Sequence, residues 1–212
     1  SLAAFVRLSN KYFGATKSTR CFDAEWVSAM EAAIETTRGM QAGTVEDYDD
    51  PLYRFNRYTE VGTDTLIMKG RGPPAKRCGL SKCAFRPSDD ATTFPYLIPA
   101  NAMMAAELAN IVPVLEQIGE AALAQEAQQL ANELRAAINA HGIVNHPVHG
   151  LIYAYEVDCF SSLCAVPLLD IVAYQIHLQL HHGRREYPRP AFPALPGLCG
   201  PHGRDVPPHA RR

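Results

Sequence analysis

Apolar residues recur at helical spacing in two blocks of the chain, with a long aperiodic stretch between them. Phe5, Leu8 and Tyr12 fall on one face of a first predicted helix. Asp23 stands where an N-cap belongs, and the helix after it sets Trp26, Met30 and Ile34 on one side. Both stripes read as core. From residue 99 the period returns. Pro99 suits a first helical position, followed by Met104, Leu108, Ile111 and Leu115, with Pro113 expected to kink the helix near its end. A last helix carries Leu123, Leu130, Leu134 and Ile138, and Gly142 reads as its C′ residue. Alternation over residues 152–157 predicts a short strand or extended loop.

Residues 40–98 show no sustained period and hold several glycines and prolines. A loop this long inside a compact domain is either functional or disordered. Tyr48, Tyr53, Phe55, Tyr58, Phe85, Phe94 and Tyr96 are too many aromatics for a solvated tether, which favours function. The overall pattern is all-α: helical hairpins joined by long loops, an arrangement that suits an α/α toroid better than a tight bundle.

Twenty basic against 22 acidic residues in 212 give a formal charge of -2, which excludes a default nucleic-acid or anionic-lipid partner. No apolar run approaches the roughly 20 residues of a membrane span. The chain opens on Ser1-Leu2-Ala3, so it is expected to begin inside a longer protein or after processing. Localisation stays open. Six cysteines match neither a zinc pattern nor a small disulfide framework; Cys78 and Cys83 are close enough to pair across a loop, but isolated core thiols are the preferred reading.

The densest polar cluster is Phe85-Arg86-Pro87-Ser88-Asp89-Asp90. Adjacent carboxylates behind an Arg and a Ser suit a loop ion pair, a helix cap, or a catalytic carboxyl held by Arg86. A glycosidase needs two carboxyl groups astride the glycosidic oxygen, and adjacent side chains point apart, so a distant partner would be required.

FRPSDDATTFPYLIPAN (residues 85–101) resembles the signature of glycoside hydrolase family 125. It stands in order with YRFNRYTEVGTDTL (53–66), GRGPPAKRCGL (70–80) and HPVHGLIYAYEVD (146–158). The resemblance implies an (α/α)6 toroid, here incomplete, with long active-site loops. It implies an exo-acting α-mannosidase that removes terminal α-1,6-linked mannose from an oligosaccharide or glycan, with inversion and without a metal or other cofactor. One of Asp89 and Asp90 would be the general acid, with the choice open. Arg54, Arg57, Asp64, Arg86, Ser88, Glu156, Asn101 and Tyr153 are the candidates for holding sugar hydroxyls. His146 and His149 read as structural loop residues, and no third ligand stands at a spacing that suggests a metal site.

The resemblance is expected to cover residues 1–158, leaving 159–212 as a non-matching tail rich in His, Arg and Pro. Back-translating residues 183–198 and dropping one base yields codons that permit Asp-Asp-Ala-Asn-Ile-Pro-Ala-Leu-Leu-Ser-Leu-Pro-Tyr-Leu-Gly, close to the family's next motif. The tail is therefore expected to be an insertion followed by out-of-frame translation. The family's water-activating Glu lies further downstream, so the chain is expected to lack its general base and to be inactive, or to persist as a non-catalytic carbohydrate-binding remnant. An incomplete toroid would also leave apolar helix faces uncovered and favour association.

Overall fold

The computed structural model describes Leu2–Phe160 and the strand Leu163–Cys164. The reading of residues 183–198 lies outside the described residues.

The order is α1 (Leu2–Thr16), α2 (Ala24–Gly39), a single turn α3 (Ile67–Gly70), β1 (Tyr96–Leu97), α4 (Ile98–Gln117), α5 (Ala121–His141), β2 (Ile143–His146), β3 (Gly150–Tyr153), β4 (Glu156–Val157) and β5 (Leu163–Cys164). The chain is helix-rich. The all-α expectation is amended by two small antiparallel sheets, β1-β4-β5 and the hairpin β2-β3. The latter extends the strand expected near residue 152.

Local chemistry explains most boundaries. The Asp23 carboxylate accepts from Trp26 N at 3.0 Å and caps α2 as expected. Pro99 sits in the first turn of α4, where its missing N–H removes no helical bond. The helix runs four residues past Pro113 before stopping at Gln117. Gly119, at φ 92, then turns the chain so that α5 returns along α4.

The α4–α5 hairpin forms the centre of the main core. Ile111, Leu115, Leu130 and Leu134 are sealed there, with Met30 and Ile34 of α2 and Val6 of α1 in the same cluster. α4 is long and apolar enough to cross a bilayer by length and composition, contrary to the expectation that no such run exists. Most of it is buried instead, which marks it here as a core helix that also carries Asn101 and Glu107 inward.

The stripe on α1 is rotated from the expected one. Ala3, Val6 and Ser9 are buried, whereas Leu8 is 70% exposed. Trp26 sets the rotation. Its indole Nε1 donates to Ser9 Oγ at 2.9 Å, which draws a polar residue into the interface. Tyr12 lies near the surface with its ring edge against Phe22.

A second cluster gathers Leu80, Tyr96, Ile98, Ile138, Ala154 and Val157. It joins the start of α4 to β4, and the Cys78–Cys159 disulfide lies against it. The disulfide corrects the expectation of isolated thiols or a Cys78–Cys83 pair. Cys83 remains a free thiol, hydrogen-bonded to Phe85 O, and burial pushes its pKa up. The turn of the β2–β3 hairpin is braced by His146, whose Nδ1 accepts from Val148 N and His149 N.

Gly142, expected as the C′ residue, is the C-cap of α5 at φ -95, so a left-handed backbone is not what selects glycine there. Space is the reason: an added Cβ would meet Ile138 O at 2.9 Å and Ile98 Cδ1 at 3.1 Å. Gly142→Ala should therefore lower stability by about 1–3 kcal/mol, as overpacking does, measured by urea unfolding. An unchanged midpoint would refute this.

Candidate active site

The motif at residues 85–91 folds as a tight hairpin. Asp89 N donates to Arg86 O at 3.0 Å, closing a turn with Pro87 and Ser88 at its centre. Arg86 N then donates to Asp90 O at 2.8 Å, and Phe85 bridges Ala91. This is a three-residue loop, a turn followed by one left-handed residue. Asp89 occupies that left-handed position with φ 68. Pro87 presets the turn, and Asp is among the few non-glycine residues that tolerate the position.

Behind the hairpin lies the strongest polar contact of the site. Arg86 Nε donates to Glu156 Oε1 at 2.6 Å and Nη2 to Oε2 at 3.0 Å, a two-pronged pair. Glu156 Oε2 also accepts from Thr93 N and Phe94 N at 3.0 and 3.1 Å. Arg86 further donates to Thr93 Oγ1 and lies over the Tyr155 ring. The Glu156 side chain is 0% exposed and both its oxygens are taken. Glu156 was expected to hold a sugar hydroxyl; in this structure its carboxylate faces Arg86 and two backbone amides, and it is not among the residues lining the cleft beside the hairpin.

Asp90 is held differently. Its Oδ2 accepts from Ser88 Oγ at 2.7 Å, and hydrogen bonds from Ser88 and Thr63, with a smaller contribution from Arg86, keep its pKa below the ordinary Asp value. Thr63 was not singled out by sequence reasoning, although it lies inside one of the matched motifs; its main chain also receives Ala91 N at 2.7 Å. Phe55 packs edge-on to Phe85 at 5.3 Å. Together these contacts fasten the 53–66 loop to the carboxylate hairpin.

Asp89 and Arg86 line a cleft of about 470 Å³ between this hairpin, the start of α4 and the ends of α1 and α2. Leu97, Asn101 and Met104 also line it, as do Thr36, Thr37 and Met40. Such a volume falls within the range of small-molecule sites. Lys82 on the rim is ion-paired with Asp47, both nearly buried, a pair that sequence reasoning also missed.

The remaining candidates converge only in part. Asn101 lines the cleft, but its amide is committed to Ser81 N, Ser81 O and Leu97 O, so it fixes the loop to α4. Arg57 pairs with Asp64 at 3.1 Å and closes its own loop, while Arg54 donates to Asp49 O; both arginines are exposed. Tyr153 packs half-buried against the second core cluster, and burial raises its pKa. None of these last four is among the residues lining the cleft.

The chain matches the sequence profile described as metal-independent alpha-mannosidase (GH125) over residues 1–167, which carries the match past Asp158. It is 41% identical over 168 residues to the meiotically up-regulated gene 157 protein of Schizosaccharomyces pombe, covering 77% of this chain and 33% of that protein. A solved structure of a metal-independent alpha mannosidase from Streptococcus pneumoniae, a non-productive complex with alpha-1,6-mannobiose, superimposes with a TM-score of 0.71 at 27% identity. That likeness covers 77% of this chain and 38% of the bacterial one. The chain thus spans about a third of the length of these relatives.

Two outcomes follow for the hairpin. Glu156→Ala should cost about 2–4 kcal/mol in urea unfolding, because it strands a partly buried guanidinium, and the double change Arg86→Met with Glu156→Leu should cost less. Equal losses in both would contradict the pair's assigned role. In a carboxyl ¹³C titration Asp90 should ionise below the ordinary Asp range, and Thr63→Val or Ser88→Ala should move that transition upward. By linkage, the stability that Asp90 contributes is present above its unfolded pKa and is lost as pH falls through the lower folded value. A transition unmoved by either substitution would sink the assignment.

Proposed function

Because the chain belongs to the family of metal-independent alpha-mannosidases, GH125, we propose that it carries the general-acid side of a site that removes terminal α-1,6-linked mannose from an oligosaccharide, with inversion. In this reading its helices are consecutive hairpins of an (α/α)6 toroid continued elsewhere in the longer relatives. The observation that carries the reading is Asp89, held in a left-handed turn on a sugar-sized cleft beside an arginine anchored from behind.

Asp89 is the acid and Asp90 is its fixed neighbour. A general acid must give up a proton to the glycosidic oxygen as the bond breaks. Asp90 is poorly suited, since two hydroxyl donors and Arg86 stabilise its anion. Asp89 lines the cleft and is exposed. Arg86, with its guanidinium fixed by Glu156, Thr93 and Tyr155, offers its cleft side to vicinal hydroxyls of the terminal sugar.

Inversion also needs a base about 6.5–9.5 Å from the acid, across a water. Among the described residues lining the cleft, Asp89 is the only carboxylate. In this reading the described part of the cleft holds the sugar and supplies the acid, while the base comes from outside the described residues. The alternative-frame motif in residues 183–198 supports the view that the coding sequence after the matched part is displaced in phase; an uninterrupted, spliced message encoding that tail would contradict it.

Calorimetry with α-1,6-mannobiose, alongside product analysis, tests the site. A Kd on the order of 1 mM is expected, with no mannose released above the uncatalysed background. Asp89→Asn should leave binding within a few-fold. Hydrolysis by the isolated chain would overturn the binding-only reading, and absence of binding would overturn the site itself.

A further inference from the structure

Away from the cleft, three soft or borderline metal ligands converge. The two sulfurs of Cys78 and Cys159 and an imidazole nitrogen of His141 lie within 4.8 Å of one another. They arrive from three separate places: the loop before Gly79, the last residue of α5, and the segment just after β4. Cys78 and Cys159 are 81 residues apart, so sequence spacing gives no sign of the cluster. In the form described here the two sulfurs are joined as a disulfide.

The backbone around the trio is tied together independently of that bond. Lys76 N donates to Asp158 O at 3.2 Å, Ala154 N to Gly142 O at 2.8 Å, and the Tyr96 hydroxyl to Lys76 O at 2.9 Å. Val157 and Ile138 of the second core cluster hold the same elements. Breaking the disulfide therefore leaves both thiols beside His141. Tetrahedral zinc with thiolate and imidazole ligands places its donor atoms about 3.5–3.8 Å apart, within reach of small side-chain rotations from the observed cluster. His141 is exposed and opens onto a hollow of about 470 Å³ also lined by Gln41, Arg77 and Glu133, which gives a metal ion a way in and a fourth position for water.

We propose that Cys78, His141 and Cys159 form a three-ligand Zn²⁺-binding site in the reduced protein, an alternative to the disulfide at the same place. An external dithiol supplies two electrons and two protons to the sulfur–sulfur bond and itself becomes a disulfide, leaving two cysteine thiols. Zn²⁺ then displaces both thiol protons to solvent and binds two thiolates, the imidazole and a water. The redox state of the surroundings selects the linkage, and either one clamps the 70–80 loop to the strand that carries Glu156. The site touches no group assigned to the sugar cleft, so it is compatible with metal-independent catalysis.

The test uses the whole chain with the other four cysteines (Cys21, Cys83, Cys164 and Cys199) changed to serine. After reduction with a dithiol and anaerobic removal of the reductant, Co²⁺ is titrated in and followed by its thiolate charge-transfer absorption. One Co²⁺ per chain is expected, displaced by Zn²⁺, with no band in the oxidised protein. Cys78→Ser or Cys159→Ser should abolish the band, and His141→Gln should weaken Co²⁺ binding by more than about tenfold. Absence of a band in the reduced, three-ligand chain would overturn the proposal even if every variant misfolded. Affinity unchanged by His141→Gln would overturn it as well.

Discussion

The described domain turns on one buried ion pair. Glu156 has no solvent contact, and its charge is met by the two-pronged Arg86 and by two backbone amides. A carboxylate in that position is costly unless all its acceptor capacity is used. The structure uses it to bring two separated segments together: the stretch from the hairpin at residues 85–91 through Thr93 and Phe94 into β1, and β4. The four motifs that carry the family resemblance are distant in sequence, and this pair is where two of them meet. The remaining contacts, Phe55 on Phe85 and Thr63 on the hairpin, attach a third to the same frame.

The hairpin separates two tasks that the doubled aspartate left merged. Asp90 is absorbed into the local hydrogen bonding and stays anionic, while Asp89 is carried outward by its left-handed backbone. A non-glycine residue in that conformation costs about 1–3 kcal/mol and persists only where its surroundings impose it. Here the imposing elements are Pro87, the Arg86–Asp90 backbone bond and the Arg86 anchor. The strain therefore sits at the residue to which the chemistry is assigned.

Much of this was legible in the sequence because it depends on local rules. Asp23 as a cap, Pro99 in a first turn and the periodic apolar faces of α4 and α5 involve neighbours within one or two turns. The rotated face of α1 was not legible, since Trp26 reaches across to Ser9 and reverses the ranking that hydrophobicity alone assigns to Leu8. The long-range partners were hidden for a related reason. Nothing in the residues around Cys78 points to Cys159, and a Glu in a sugar-binding family reads as a ligand contact until its burial is known. Asn101 and Tyr153 illustrate the same limit, their polar atoms or rings being committed to the protein's own loops and core.

The junction of β1 and α4 has a geometric consequence. Leu97 is paired with Glu156 in the sheet, and Ile98, the next residue, begins the central helix. No residue intervenes, so the strand register and the first turn of the helix are set together. On one side of that junction the helix packs through the leucine- and isoleucine-rich interface with α5, and on the other the strand pairs with the residue whose carboxylate holds Arg86. The hydrophobic interior and the charged edge of the cleft are thus two ends of one uninterrupted stretch of backbone.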